Sequence, residues 1–246
     1  MKVRVDKLLV DRGLVETRTR AQALILAGKV LVNEQKIEKA GVQVDADSSL
    51  RILGETLRYV SRGGLKLEHA LDYWRIDVND CTCLDVGAST GGFTDCLLQH
   101  GAMRVIAVDT GYGQIDVKLR QDPRVRLVEK LNARYMKAED VGENVDLIVI
   151  DVSFISATLV VPAVVSAAFG ESVDGKKIII LVKPQFEAGR EQVGKGGIVR
   201  DESVQMAAVR KVQDFLREVG CRQTEWTESP ITGAEGNREF LLLGKW

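Results

Sequence analysis

Two textures of hydrophobic and polar positions divide the chain. In the opening stretch, Val5, Leu8 and Leu9 recur at helical spacing from Val5 to Arg12, and Gly13 stops the run. Thr17 can cap a second helix with Ala21, Leu24 and Ile25 inward, ended by Gly28. Lys29 to Val32, an Asn33-Glu34 turn and an alternating stretch to Leu53 predict short strands, making a small α+β unit. From Cys81 onward, apolar runs alternate with amphipathic stretches. Strands are predicted over Cys83 to Val86, Arg104 to Val108, Val125 to Val128, Asp146 to Ile150, Lys177 to Val182 and Glu239 to Leu243. Helices are predicted over Leu65 to Trp74, Gly92 to His100, Phe154 to Phe169 and Ser203 to Val219, the last begun by Asp201 and ended by Gly220. Such alternation predicts a doubly wound, mostly parallel α/β sheet. The expected organisation is a first domain over 1–55, a linker over 56–60 and a second domain over 61–246.

Composition agrees with one large domain and one small one: the 246 residues are 45% hydrophobic. The net charge is only −1, but residues 1–31 carry seven Lys/Arg against three Asp/Glu. That local excess suits a phosphate footprint, and equally a solvated helix face. No run approaches the ~18 consecutive apolar residues of a membrane helix, and the start lacks an apolar signal core. Cys81, Cys83, Cys96 and Cys221 form no CxxC pair and the histidines are His69 and His100, so no metal site is expected. Cys83 and Cys96 lie in apolar runs and read as reduced core residues of a cytoplasmic protein.

The first strand of the second domain runs into a glycine-rich turn, Leu84-Asp85-Val86-Gly87-Ala88-Ser89-Thr90-Gly91-Gly92-Phe93, which opens a helix. Glycines there let backbone approach a ligand, and the helix start offers unpaired N–H groups. Asp109 ends the next strand, 24 residues beyond Asp85, where a carboxylate can meet a ribose diol. Together these predict a nucleoside cofactor, and the spacing is not the G-x-G-x-x-G of a dinucleotide site. Gly189 to Lys195 imitates a phosphate loop, but Gly196 stands where Ser or Thr would hold magnesium. A glycine-rich loop covering the site or touching RNA suits Gly189 to Gly197 better, with a plain solvent loop the alternative.

Asp151 and Lys183 each follow an apolar run, at the carboxyl end of a predicted parallel strand, where open α/β sheets bind ligands. Lys66 opens a helix and Glu239 starts the last strand. With Tyr59 to Leu67, Asp85 to Cys96, Val108 to Gln114, Asp151 to Ser156, Leu181 to Asp201 and Ser229 to Leu243, the chain resembles the TlyA family of rRNA ribose methyltransferases, sometimes called haemolysin A. It resembles the FtsJ-type RNA 2′-O-methyltransferases more distantly. The resemblance implies a Rossmann-like class I fold with a mostly parallel seven-stranded sheet and an antiparallel terminal strand. It also implies an N-terminal alpha-L RNA-binding domain. By the same resemblance, a Lys-Asp-Lys-Glu tetrad falls on Lys66, Asp151, Lys183 and Glu239. The S-adenosylmethionine site falls on Asp85, Gly87, Ser89, Phe93, Asp109 and Asp151. The RNA-binding surface falls on Arg4, Lys7, Arg12, Arg18, Arg20 and Lys29.

A sulfonium methyl donor is already activated, so such a site needs chiefly to align an oxygen nucleophile and manage one proton, with no metal. A free lysine is mostly protonated at neutral pH, so a lysine base requires surroundings that favour the neutral amine. Lys183 is the expected acceptor of the 2′-hydroxyl proton, steadied by Asp151, with Lys66 and Glu239 orienting ribose and base. The implied partner is rRNA in ribosomal subunits, a cytidine ribose at the intersubunit face. The chain starts close to its first helix and stops just after its last strand, which favours the large-subunit type; a monomer is expected. Competing readings are a catalytically silent ribosome-binding factor, a membrane-damaging protein, and a methyltransferase for a base or small molecule.

Overall fold

The computed structural model describes residues 2–15, 17–53, 58–170, 172–233 and 236–246. Two compact units divide the chain, Met1–Thr56 and Leu57–Trp246. The expected linker over 56–60 and the end of the first domain at 55 fall partly on 54–57, outside the described residues.

In the first unit, β1 (Lys2–Arg4), α1 (Val5–Asp11), α2 (Arg18–Leu26), β2 (Val30–Val32), β3 (Gln35–Ile37), β4 (Gln43–Asp45) and β5 (Leu50–Ile52) follow in order. β2 pairs antiparallel with β3 and β5, and β1 pairs antiparallel with β4. Asn33 and Glu34 both take positive φ, 47° and 64°, as a tight two-residue hairpin turn demands. Thr17 Oγ1 accepts from Arg20 N at 3.2 Å and so caps α2. Val5, Leu9, Ala21, Ile25 and Val30 make the core.

Beside that core lies Asp6, fully buried. Its carboxylate accepts from Arg4 Nε and Nη2, Arg18 Nε and Gln22 Nε2 at 2.9–3.0 Å. The Arg4 guanidinium, with Gln22 and Arg18, overcomes burial and holds this carboxyl well below the usual carboxylate range. A depressed folded pKa stabilises the fold above the unfolded value, about 3.9, and the contribution is lost as pH falls below it. Asp6→Asn should therefore loosen the unit at neutral pH by about 1–3 kcal/mol, the cost of disrupting hydrogen bonds at a buried charged group. Amide exchange of α1 and α2 in the intact chain reads this: faster exchange than wild type at pH 7, with the difference only beginning to narrow once the pH falls below about 4, toward the depressed folded pKa. Equal exchange at pH 7 would rule the carboxylate out as an anchor.

The second unit runs α3 (Gly63–Trp74), β6 (Thr82–Val86), α4 (Gly92–Gln99), β7 (Arg104–Asp109), α5 (Val117–Gln121), β8 (Val125–Glu129), α6 (Ala138–Val141), β9 (Leu147–Ile150), α7 (Val161–Phe169), β10 (Lys177–Val182), α8 (Pro184–Glu187), α9 (Glu202–Glu218), β11 (Gln223–Glu228) and β12 (Phe240–Lys245). The seven-stranded sheet has the order β11-β12-β10-β9-β6-β7-β8. It is parallel except for β12, antiparallel to both neighbours. The period of two along each buried strand sends alternate residues to opposite faces. Ile178, Ile180 and Val182 pack toward α7 and α9, whereas Ile179 and Leu181 join the layer under α3 and α4. Chain order reverses between β6 and β9, so the ends of these two strands form the switch-point crevice.

Two expectations need correction. The helix predicted over Phe154 to Phe169 is α7 alone, preceded by a 3-10 turn at Ala157–Leu159. Phe154 has left-handed φ, 65°, and Pro162, lacking an N–H, suits the first turn of α7 rather than a helix interior. β11 escaped prediction because Gln223–Glu228 is an edge strand, largely polar and exposed, with no apolar run to mark it.

Candidate active site

Strand register brings the chemistry-bearing residues to one row. Ile180 pairs with Ile150 at the end of the β10–β9 ladder, so the chains leaving both strands carry Lys183 and Ser153 out at the same end of the sheet. Val182 pairs with Phe240 across β10 and β12, which sets Glu239 beside Lys183 on the other side. Lys66 enters from the first turn of α3. The result is two ion pairs. Lys66 Nζ donates to Glu239 Oε2 at 2.5 Å, with both side chains largely buried. Lys183 Nζ lies 2.6 Å from Asp151 Oδ1 and donates to Ser153 Oγ at 2.8 Å. Asp151 Oδ1 receives no directed hydrogen bond despite its burial, so its attraction to Lys183 is that of a nearby charge.

Gly87 makes this junction possible. It sits just beyond β6 with φ 86°, and a Cβ there would collide with the Asp151 carbonyl oxygen. Gly92, at the start of α4, likewise leaves room for the Ser61 side chain and the Gly63-Gly64 backbone. Two cavities open from the junction and share Gly87, Ser89, Asp151 and Ser153. One, about 200 Å³, is lined by Lys66, Lys183 and Phe93. The other, 340 Å³, runs past Asp109, Gln114, Asn132 and Phe154. Together they fall within the roughly 300–1,000 Å³ range of small-molecule sites.

The expected site residues are distributed unevenly over these spaces. Lys66, Asp151, Lys183, Gly87, Ser89 and Phe93 line the first cavity, and Asp109 lines the second. Asp109 Oδ2 accepts from Ser89 N at 2.8 Å and Oδ1 from Gly111 N at 2.6 Å. Glu239 stands behind Lys66, nearly inaccessible. Asp85 is the exception: it is fully buried, lines neither cavity, and its Oδ2 accepts from Thr94 Oγ1 of α4 at 2.6 Å. Strand alternation turns it under α4, and that burial pushes its carboxyl up to about 7. The glycine-rich segment Gly189 to Gly197 also lines neither cavity. Buried Asn237 holds its exit, accepting from Val199 N at 3.0 Å and donating to Gly197 O at 3.0 Å.

The cations expected on the RNA surface of the first unit also differ from one another. Arg4 and Arg18 are engaged with Asp6, and Arg12 donates to the Ser48 and Ala46 carbonyls. Lys7, Arg20 and Lys29 are exposed. Among the described residues, no helix is long and apolar enough to cross a membrane.

A model of the FtsJ-like methyltransferase family matches residues 59–246, and a model of the S4 domain matches residues 3–49. The chain belongs to the TlyA branch of the FtsJ-like methyltransferases. The 16S/23S rRNA (cytidine-2′-O)-methyltransferase TlyA of Mycobacterium tuberculosis is 43% identical over 242 residues, covering 98% of this chain and 89% of the relative. Hemolysin A of Brachyspira hyodysenteriae is 40% identical over 240 residues, 97% of this chain and 98% of the relative. A solved Streptococcus thermophilus structure titled as a hemolysin superposes with TM-score 0.74 at 46% identity, covering 99% of this chain and 88% of that one.

Within this FtsJ-like domain the sequence reading missed Glu187, the last residue of α8. Its Oε1 accepts from Ala157 N at 2.7 Å and its Oε2 from Ser156 Oγ at 2.5 Å and Lys211 Nζ at 3.1 Å. It pins the loop that leaves β9 past the cavities, and no local spacing announced it. Glu187→Ala strands a buried N–H, costing about 1–3 kcal/mol. The melting temperature should fall by several degrees in near-UV circular dichroism; an unchanged value would mean the loop is held otherwise.

Proposed function

We propose that this protein transfers a methyl group from S-adenosylmethionine to the 2′-hydroxyl of a cytidine ribose in rRNA. The observation that carries this is the convergence of Lys66, Glu239, Lys183 and Asp151 as two ion pairs at the mouth of a glycine-lined crevice. The residues suit the cofactor. The Cβ-free cradle at Gly87 leaves space, Asp151 borders it beside Lys183, and the first residues of α4, Gly92 and Phe93, line the same cavity, where a helix start offers unpaired N–H groups. Asp109 has lone pairs left beside its two backbone bonds for a ribose diol. Asp85 supports this end of the crevice from beneath by bonding Thr94. When bound, the donor supplies a sulfonium methyl whose C–S bond breaks as the new O–C bond forms, the electron pair staying on sulfur.

Lys183, as the neutral amine, accepts the proton of the attacking 2′-hydroxyl at Nζ. Asp151, 2.6 Å away, stabilises the ammonium that results. Lys66, held by Glu239, presents its ammonium to the ribose. Lys183→Ala should slow single-turnover methyl transfer from labelled donor to unmodified ribosomal subunits by ~10²–10⁴-fold, the usual worth of a general base. Donor binding by calorimetry should stay intact. Wild-type turnover by this variant would remove the base assignment, and no transfer by the wild type would favour a silent ribosome-binding factor.

The RNA target is read as the intersubunit face, with 23S rRNA first. The name 23S is common to the M. tuberculosis relative and to the Campylobacter jejuni relative, 35% identical over 184 residues, whereas 16S occurs only in the former's. The S4 domain supplies the phosphate contacts that a near-neutral chain otherwise lacks. Lys7 and Lys29 are the better candidates for these contacts, because Arg4, Arg12 and Arg18 are also spent on internal bonds. Lys7→Ala/Lys29→Ala should lower the salt slope of subunit binding by about 2, one per lost phosphate contact, with thermal stability unchanged. A wild-type slope would place the RNA contacts elsewhere. The expected working place is the cytoplasm, where ribosomal subunits are found.

A further inference from the structure

We propose that Ser153 is a positioning residue for the proposed base, the group that aims the Lys183 amine. The inference rests on the base reading above and adds the source of its direction. A base is useful only when its lone pair faces the proton it takes. A primary amine can turn about its Cε–Nζ bond, and a nearby charge restrains that rotation weakly, since Coulombic attraction has little angular preference. Asp151 is such a charge: close to Nζ, yet its Oδ1 receives no directed hydrogen bond. The directed bond runs from Nζ to Ser153 Oγ, at 2.8 Å. Placing one N–H on Ser153 leaves two positions about Cε–Nζ for the remaining hydrogen and the lone pair. The negative charge of Asp151 draws the hydrogen to the position nearer it, and the lone pair of the neutral amine takes the other.

Ser153 is itself held on both sides. Toward the N-terminus, Asp151 N donates to Val86 O at 2.9 Å, tying the chain to β6. Toward the C-terminus, Glu187 grips Ser156 and Ala157. Between these anchors Phe154 turns through its positive φ and rests on Phe186, whose ring also lies 5.9 Å from Lys183 Nζ. The hydroxyl therefore stands at a defined place although the residue is exposed, and it borders both cavities. Serine supplies an acceptor without a charge that would compete with Asp151.

The test compares wild type, Ser153→Ala, Ser153→Thr, Lys183→Ala and the Lys183→Ala/Ser153→Ala double variant. The measurements are single-turnover transfer to large ribosomal subunits from cells lacking the enzyme, donor binding by calorimetry and thermal stability. Ser153→Ala should slow transfer by roughly 10- to 100-fold, the scale on which misplacing a reacting group acts. Donor affinity, the subunit concentration for half-maximal rate and melting temperature should match wild type. Ser153→Thr, which keeps the hydroxyl, should recover most of the rate. The double variant should be no slower than Lys183→Ala, because an aiming residue has nothing left to aim. A wild-type rate for Ser153→Ala overturns the proposal, as does a double variant slowed by a further full factor, or a loss explained by weaker donor binding. Lys183→Ala at wild-type rate would instead sink the base reading, so the two failures are distinct.

Discussion

Everything in the crevice depends on one close approach, that of the Gly87 backbone to the Asp151 carbonyl where the sheet changes direction. β6 pairs with β7 on one side and β9 on the other, so the chain leaving β6 and the chain leaving β9 emerge side by side. A side chain on Gly87 would push them apart. Without it, the glycine turn lies against the strand end that carries Asp151, and a donor bound on the turn is beside the acidic end of the Lys183 pair. The proposed cofactor pocket and the proposed proton-handling groups are joined by steric permission at a single residue.

Much of this was legible because strands announce their own ends. Asp151 and Lys183 each terminate an apolar run, and a polar residue at the carboxyl end of a parallel strand is conspicuous. Lys66 and Glu239 carried less local signal and were placed through resemblance. Asp85 shows the limit of motif reading: a carboxylate in the glycine-turn motif was expected beside the ligand, but the pleat turns it under α4. Ser153, Glu187 and Asn237 were illegible for another reason. Their partners lie far off in sequence or across strand register, and no period or spacing encodes such meetings.

Charge counting in the first unit does not say what each cation is for. Seven cations among the opening residues suggested a phosphate-binding face. Two of the guanidiniums also satisfy a buried carboxylate, and a third closes a loop through backbone carbonyls. A composition cannot distinguish a cation kept for RNA from one needed to make Asp6 tolerable in a core. The distinction comes from hydrogen-bond geometry, because an unpaired buried carboxylate would cost far more than an exposed arginine gains.

The same reasoning separates structure from chemistry at the catalytic end. Lys66 and Glu239 form a largely buried ion pair, and replacing such a pair with apolar side chains of similar volume is commonly neutral or stabilising. Stability therefore gives little reason for two lysines and two acids to gather at the ends of otherwise apolar strands. The arrangement makes sense as a site that must hold charge through a reaction. Under the proposed mechanism one lysine, held by a buried carboxylate, faces the ribose, and the other, beside a partly exposed carboxylate and a serine, faces the hydroxyl to be methylated. The asymmetry of their partners is what would let two lysines divide the work.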